Sequence, residues 1–209
     1  MAVFKCWLKP METLDPNTLK LLAQGLRNYL DKIIGATSPK AFTNSVVGFD
    51  PNPGDVQPKD VLVYLVRASL IAQYAEGRYT LAGGGGAPGG RTAPFSEGVL
   101  SEVYLQRIAN LAPPDQAASI ANAAIHEIAH NKFYGMPEIA DYNMHVHVNC
   151  GGGILSAGIM PALLRTGDLT AENARALAPA LAHDQTQLQT YLTQKAAQPP
   201  DDGATQESS

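Results

Sequence analysis

The pentapeptide His126-Glu127-Ile128-Ala129-His130 decides the fold, because its spacing brings its two histidines together only on a helix. Residues four positions apart lie on the same side of a helix, so both imidazoles can bind one metal ion. Glu127 follows the first histidine by about 100° around the helix, where its carboxylate reaches a water molecule on that metal. Four of the five histidines fall from residue 126 to residue 147. The pattern indicates zinc-dependent hydrolysis.

Signals on both sides of the pentapeptide place it within one long helix. Asp115 follows two prolines and predicts the N-cap, while Gly135 and Pro137 predict an end at about Tyr134. An apolar stripe on this helix should face the core. The histidines lie on roughly the opposite side, so we expect them to project into a cavity. The stripe consists of Ala117, Ile120, Ala121, Ala124 and Ile128.

Two strands and one helix are predicted before this segment. Residues 2–8 alternate in the manner of a short strand. Residues 61–66 form a continuous β-branched run, which is typical of a buried central strand. Between them, Asp15 predicts the cap of a helix that begins at Pro16 and ends at Gly35.

The other segments give weaker signals. Residues 81–94 are rich in glycine, and no GK[ST] motif follows, so a surface loop near a cleft is expected rather than a phosphate-binding loop. Residues 99–108 fit either a strand or a short helix. A final helix is predicted over about residues 170–195, with a kink at Pro179. Residues 196–209 have the composition of a disordered tail.

Length and composition restrict the class of protein. A chain of 209 residues is long enough for one domain, which we predict over residues 1–195. It contains no run of about 18 or more apolar residues, so a membrane span is not expected. The net charge of −4, with scattered lysines and arginines, gives no basic face for nucleic acid. The sequence does not indicate an oligomeric state.

The two cysteines, Cys6 and Cys150, are too few for a cysteine-ligated zinc site. A bridge between them would suit an exported protein, and the alternative is two buried free thiols. The compartment stays open, with export favoured, although no signal peptide is visible at the start of the chain.

Through His126, Glu127 and His130 the chain resembles the zincin metallopeptidases. The order of its elements over residues 1–195 is similar to that of the metzincin branch, but Asn131 to Met136 follow the second histidine in place of the extension HExxHxxGxxH. HExxHNK followed by a histidine and a run of glycines is also similar to small bacterial and phage-associated zincins. The resemblance implies a single α+β domain: a small mixed sheet packed on the N-terminal helix and the HExxH helix, with a C-terminal helix.

A catalytic zinc site needs a third protein ligand, which the helix cannot supply. His147 ranks first, because the glycines that follow it can bring backbone close to a metal. His145 ranks second, since both histidines would face the same side of an extended strand. Asp141 ranks third, because its separation from His130 is similar to that of the aspartate in the aspzincin family. Glu138 ranks last, being close to the helix end.

The leading hypothesis is therefore a zinc-dependent metalloendopeptidase. Glu127 activates a zinc-bound water, which attacks the carbonyl of a peptide or protein substrate. That substrate is expected to add as an extended strand along the sheet edge. The alternatives are a non-catalytic zinc-binding or interaction protein on the same scaffold, and a hydrolase of another amide such as a cell-wall peptide. Tyr142 is a candidate donor to the oxyanion, and Met160 falls where a metzincin has its Met-turn, although both also suit simple packing.

Overall fold

The chain forms a mixed sheet with helices, and the computed structural model describes residues 2–36, 38–77, 89–157 and 165–189. The strands are β1 (Ala2–Pro10), β2 (Phe42–Phe49), β3 (Val61–Val66), β4 (Gly90–Phe95) and β5 (Gly98–Tyr104). The helices of the described ranges are α1 (Pro16–Gly35), α2 (Leu70–Glu76), α3 (Pro113–Phe133), α4 (Tyr142–Asn149) and α5 (Ala171–Leu177).

The five strands lie in the order β2-β1-β3-β5-β4. β2, β1, β3 and β5 are parallel to one another, and β4 runs antiparallel to β5 at the edge of the sheet. Every residue of β3 is buried, which confirms the predicted central strand, and the predicted strand over residues 2–8 is also present. The predicted α+β class with a small mixed sheet is therefore confirmed.

Alternate residues of β3 face two different cores. The odd-numbered ones join the larger core, which α1 and α3 share, and the even-numbered ones join a smaller core with Leu70 and Ile71 of α2. The predicted cap and first residue of α1 are confirmed, because the Asp15 side chain accepts a hydrogen bond from the Thr18 amide (3.0 Å) and Pro16 follows. Each fully buried leucine of α1 contributes about 1.5–3 kcal/mol to folding.

α3 begins earlier than predicted, and more of its surface is buried than the apolar stripe alone indicated. It begins at Pro113 rather than after Asp115, and Ala112 occupies the cap position without a side-chain bond. All of its residues from 119 to 133 are buried, so the side that carries the histidines is covered by other elements, as is the apolar stripe. α3 packs on α1 and β5, and also contacts β4 and α4. The pentapeptide consequently lies on a buried central helix.

The helix predicted over about residues 170–195 begins as expected, with Thr170 as its cap, but the predicted length is wrong. α5 ends at Leu177, before Pro179, and residues 180–182 form a short 3-10 helix. Residues 185–188 are held by other elements: the Leu188 amide donates to the Val99 carbonyl (2.8 Å), and Gln187 forms a β-bridge with Val99. The predicted tail over residues 196–209 lies outside the described residues.

β2, β4 and α2 were not predicted, and α4 is present where a strand was expected. The second part of the glycine-rich segment is β4, and residues 78–88 and Met160 lie outside the described ranges. Residues 99–108 contain both expected forms, since β5 ends at Tyr104 and a short 3-10 helix follows.

Cys6 and Cys150 are buried free thiols, so the structure supports that alternative over a bridge. None of the described helices has the length and apolar character needed to cross a membrane.

Gly98 connects the sheet to residues 185–188, and we expect Gly98→Ala to destabilise the fold. Its φ is +147°, and a Cβ there would lie 2.7 Å from the Thr186 carbonyl oxygen. The free energy of unfolding should fall by about 1–3 kcal/mol in urea titrations. Gly54→Ala is the matched control, because a Cβ at this exposed glycine meets nothing within 4 Å. Equal unfolding midpoints for the two variants would contradict this account.

Candidate metal centre

Three imidazoles converge between α3 and α4. One ring nitrogen from each of His126, His130 and His147 lies within 4.8 Å of the other two. Nε2 of His126 is 3.0 Å from Nε2 of His130 and 3.3 Å from Nε2 of His147. Nitrogen ligands at about 2.0–2.1 Å from a tetrahedral zinc ion are roughly 3.3–3.4 Å apart. The three histidines are therefore positioned to hold a metal ion of this size.

The fold of α4 explains why His147 faces the centre and His145 does not. Asp141 caps α4 by accepting a hydrogen bond from the Met144 amide (3.0 Å), so the segment is a helix rather than the expected strand. Residues i and i+2 of a helix are separated by about 200° around its axis, so their side chains lie on nearly opposite sides. The prediction that both histidines face the same side is therefore wrong. His145 instead packs on Phe133, with ring centroids 4.5 Å apart.

The other candidate ligands lie apart from this group. The Asp141 carboxylate is engaged at the helix cap, and Glu138 is exposed in the α3–α4 connection. Within the described ranges, the cluster contains three histidines and neither of these carboxylates. Of the four ranked candidates, the structure brings only His147 together with the two histidines of α3.

The glycine turn after α4 fixes the orientation of His126. Nδ1 of His126 is 2.8 Å from the carbonyl oxygen of Ile154. Because a carbonyl only accepts, Nδ1 carries the proton, and the lone pair of Nε2 points to the centre. Gly151 and Gly152 have φ of +84° and +66°, and the Asn173 side chain donates to the Gly152 carbonyl (3.2 Å). The glycines thus bring backbone to the site, as the sequence indicated.

Burial keeps the two histidines of α3 neutral. Their side chains are almost inaccessible to water, and this lowers the pKa of His126 to about 4. Burial and the neighbouring imidazoles lower the pKa of His130 to about 3. Nδ1 of His130 is also buried and has no hydrogen-bond partner among the described residues. Neutral imidazoles are the form that binds a metal ion, so the environment suits a ligand role.

Glu127 points from α3 toward the edge strand β4. Its Oε2 atom accepts a hydrogen bond of 2.7 Å from Oγ1 of Thr92. Gly90 provides the space, since a Cβ at that position would lie 2.8 Å from Oε1 of Glu127. Burial raises the pKa of Glu127 to about 8, and the bond from Thr92 opposes this shift. A buried carboxyl group in this state can both accept and release a proton near neutral pH.

The chain matches no protein-family model, and neither a curated protein nor a solved structure is similar enough to indicate a relative. The functional interpretation therefore rests on the geometry of this centre.

Gly90, Thr92 and Ile154 contribute to the site and were not predicted from the sequence. Their separation along the chain from Glu127 and His126 gives no local signal, and the glycine-rich composition before Thr92 suggested a loop. Tyr142 does lie near the site, with its ring centroid 6.0 Å from that of His130. It is half-buried, and burial raises its pKa. It remains a candidate donor to an oxyanion.

Proposed function

We propose that the protein is a zinc-dependent hydrolase, most specifically a zincin-type metalloendopeptidase. The observation that carries the proposal is the convergence of three imidazoles beside a buried carboxylate on the residue that follows the first of them. Three protein ligands with one open position are the arrangement of catalytic zinc sites, whereas structural sites use four protein ligands. The α+β architecture, with this helix at its centre, is compatible with a zincin fold.

Each side chain has a separate part in the proposed reaction. His126, His130 and His147 would hold the zinc ion through their Nε2 atoms. When bound, zinc would polarise a carbonyl group and lower the pKa of a water molecule. Glu127 takes a proton from the attacking water and delivers it to the leaving amine. His126 keeps its tautomer through the Ile154 carbonyl, so its lone pair stays available throughout.

The position of β4 supports an extended peptide as the substrate. β4 is hydrogen-bonded to β5 on one side, and no described strand pairs with its other side. Gly90 and Thr92 of this strand contact Glu127, so a peptide added along the free edge would pass close to the carboxylate. Main-chain hydrogen bonds to an edge strand hold a peptide straight, which exposes its carbonyl groups to attack.

Metal removal and restoration test the proposal. The purified chain should contain about one zinc ion per molecule by atomic emission, as a three-histidine site requires. It should cleave members of a quenched-fluorescence peptide library. Treatment with 1,10-phenanthroline should abolish this cleavage, and added Zn²⁺ should restore it.

Peptidoglycan fragments, assayed in parallel, separate peptidase activity from hydrolysis of a cell-wall amide. Cleavage of peptidoglycan alone would replace the peptidase proposal by the cell-wall alternative. Tight zinc binding without cleavage of either substrate would overturn the enzymatic proposal and leave a metal-binding protein.

A further inference from the structure

Glu127 is the last member of a line of buried hydrogen-bonding side chains, which we name the polar chain. Its members come from the C-terminal segment, α3, β5 and β4, and all are buried. Nδ2 of Asn131 is 3.0 Å from Oε1 of Gln187 and 3.0 Å from Oγ of Ser101. Oγ of Ser101 is 3.1 Å from Oγ1 of Thr92. In order, the polar chain is Gln187, Asn131, Ser101, Thr92 and Glu127.

The protons in the polar chain can be assigned by elimination. The amide nitrogen of Asn131 only donates, so it occupies a lone pair of Ser101. Thr92 has a single proton and three acceptors within reach: Oγ of Ser101 and the backbone carbonyl of Glu127, both at 3.1 Å, and Oε2 of Glu127 at 2.7 Å. When Glu127 is ionised, its Oε2 atom is the nearest and most basic of the three. The Ser101 proton is then directed to Oγ1 of Thr92. Asn131, Ser101 and Thr92 then each donate one hydrogen bond in the direction of Glu127, while Nδ2 of Asn131 also donates to Gln187. Successive bonds of this kind strengthen one another.

Secondary structure holds the polar chain in place. Thr92 and Ser101 are directly opposite each other in the register of β4 and β5, so their side chains share one face of the sheet. Glu127 and Asn131 are four residues apart on α3, so they share one face of the helix. The hydroxyl of Thr92 is therefore fixed by both the sheet and the helix.

We propose that Thr92 is a positioning residue that aims the Glu127 carboxylate at the attacking water, with the polar chain holding its hydroxyl in the donating orientation. The inference rests on the proposed function. Thr92 has no hydrogen bond to any of the three histidines among the described contacts, so its effect should fall on Glu127 and spare the metal ligands. Without the Thr92 hydroxyl, the buried Glu127 carboxylate would lose its one described side-chain donor and would turn away from β4.

Thr92→Val and Thr92→Ser form a matched pair that tests this role. Valine keeps the shape of threonine and removes the hydroxyl, while serine keeps the hydroxyl. A misplacement of about 1 Å in a reacting group costs roughly 100-fold in rate. Thr92→Val should therefore lower kcat by about 100-fold for a peptide from the library, with little change in KM or zinc affinity. Thr92→Ser should restore kcat to near the parent value.

Acetohydroxamate binding to the cobalt-substituted protein gives a readout that does not need turnover. Acetohydroxamate binds a metal ion through its oxygens, and its proton needs a nearby carboxylate as acceptor. The visible spectrum of the cobalt ion should show that Thr92→Val binds this probe about tenfold more weakly, because one charge-assisted hydrogen bond is misaligned. Glu127→Gln should show the same weakening, and Thr92→Ser should bind like the parent.

Two results would overturn the inference: Thr92→Val equal to the parent in kcat and in acetohydroxamate affinity, or equal impairment in the valine and serine variants, which would indicate packing alone. If Thr92→Val does not fold, Ser101→Ala decides, because it removes the donor to Thr92 and leaves Glu127 untouched. For Ser101→Ala, a fall in kcat that is smaller than the one expected for Thr92→Val, together with weaker acetohydroxamate binding, supports the inference. Parental values of both quantities contradict it. If the parent cleaves no substrate, the proposed function fails, while the acetohydroxamate comparison still decides the role of Thr92.

Discussion

Replacing Glu127 by glutamine is expected to lower kcat by about 10²–10⁴-fold while zinc stays bound, since a general base contributes this much to a hydrolytic rate. Glutamine has nearly the same shape as glutamate but cannot take a proton from water. Glu127 does not belong to the histidine cluster, so the metal affinity should not change. Steady-state cleavage of a library peptide and zinc content by atomic emission check the two parts separately.

Glu138→Gln is the control for this variant, because it removes an exposed carboxylate in the α3–α4 connection. It should cleave like the parent. Undiminished cleavage by Glu127→Gln would show that this carboxylate is not the base. Loss of zinc in the same variant would show instead that Glu127 is a ligand.

The second large effect is expected from His147→Ala, which should weaken zinc binding by more than about 100-fold. Groups that only orient a metal ligand already contribute 10–100-fold to affinity, so loss of a ligand should exceed that range. Nε2 of His147 lies 3.3 Å from that of His126, and α4 supplies no other member of the cluster. Competition against a fluorescent zinc chelator measures the change.

His145→Ala is the matched control, because it removes a histidine from the same helix that faces Phe133 instead. Its zinc affinity should equal that of the parent. If the two variants exchanged these results, the third ligand would be His145, and the helical conformation of α4 would be wrong for the metal-bound protein.

Local signals in the sequence were sufficient for α1, β3 and the motif helix. A capping aspartate followed by proline specifies the start of α1 within a few residues, and a buried parallel strand is recognisable from its continuous β-branched run. The spacing of the two histidines depends only on helix geometry. Each of these signals is contained in the element that it describes.

Elements that depend on distant partners could not be predicted in this way. β4 contains Gly90 and Pro94 and follows a glycine-rich segment, so it has little strand signal of its own, and its pairing with β5 determines its conformation. The Ala-rich sequence after residue 170 favours a long helix, but Pro179 and the bridge between Gln187 and Val99 override that tendency. Tertiary contacts decided both segments.

The candidate site shows the same division. His126, Glu127 and His130 were accessible from spacing, whereas the choice of the third histidine depended on whether residues 142–149 form a strand or a helix. Their alternating His-Val-His-Val pattern suggests a strand, and the Asp141 cap with the burial of Val146 produces a helix instead. Thr92 is 35 residues from Glu127 in sequence, and only the packing of β4 on α3 reveals their contact.

Anomalous X-ray scattering at the zinc absorption edge, from crystals grown with Zn²⁺, tests the central claim most directly. The account predicts one peak at about 2.0–2.1 Å from Nε2 of His126, His130 and His147, with Glu127 outside the ligand set. A peak bound by Asp141 or His145 in place of His147, or no peak between the two histidines of α3, would contradict it.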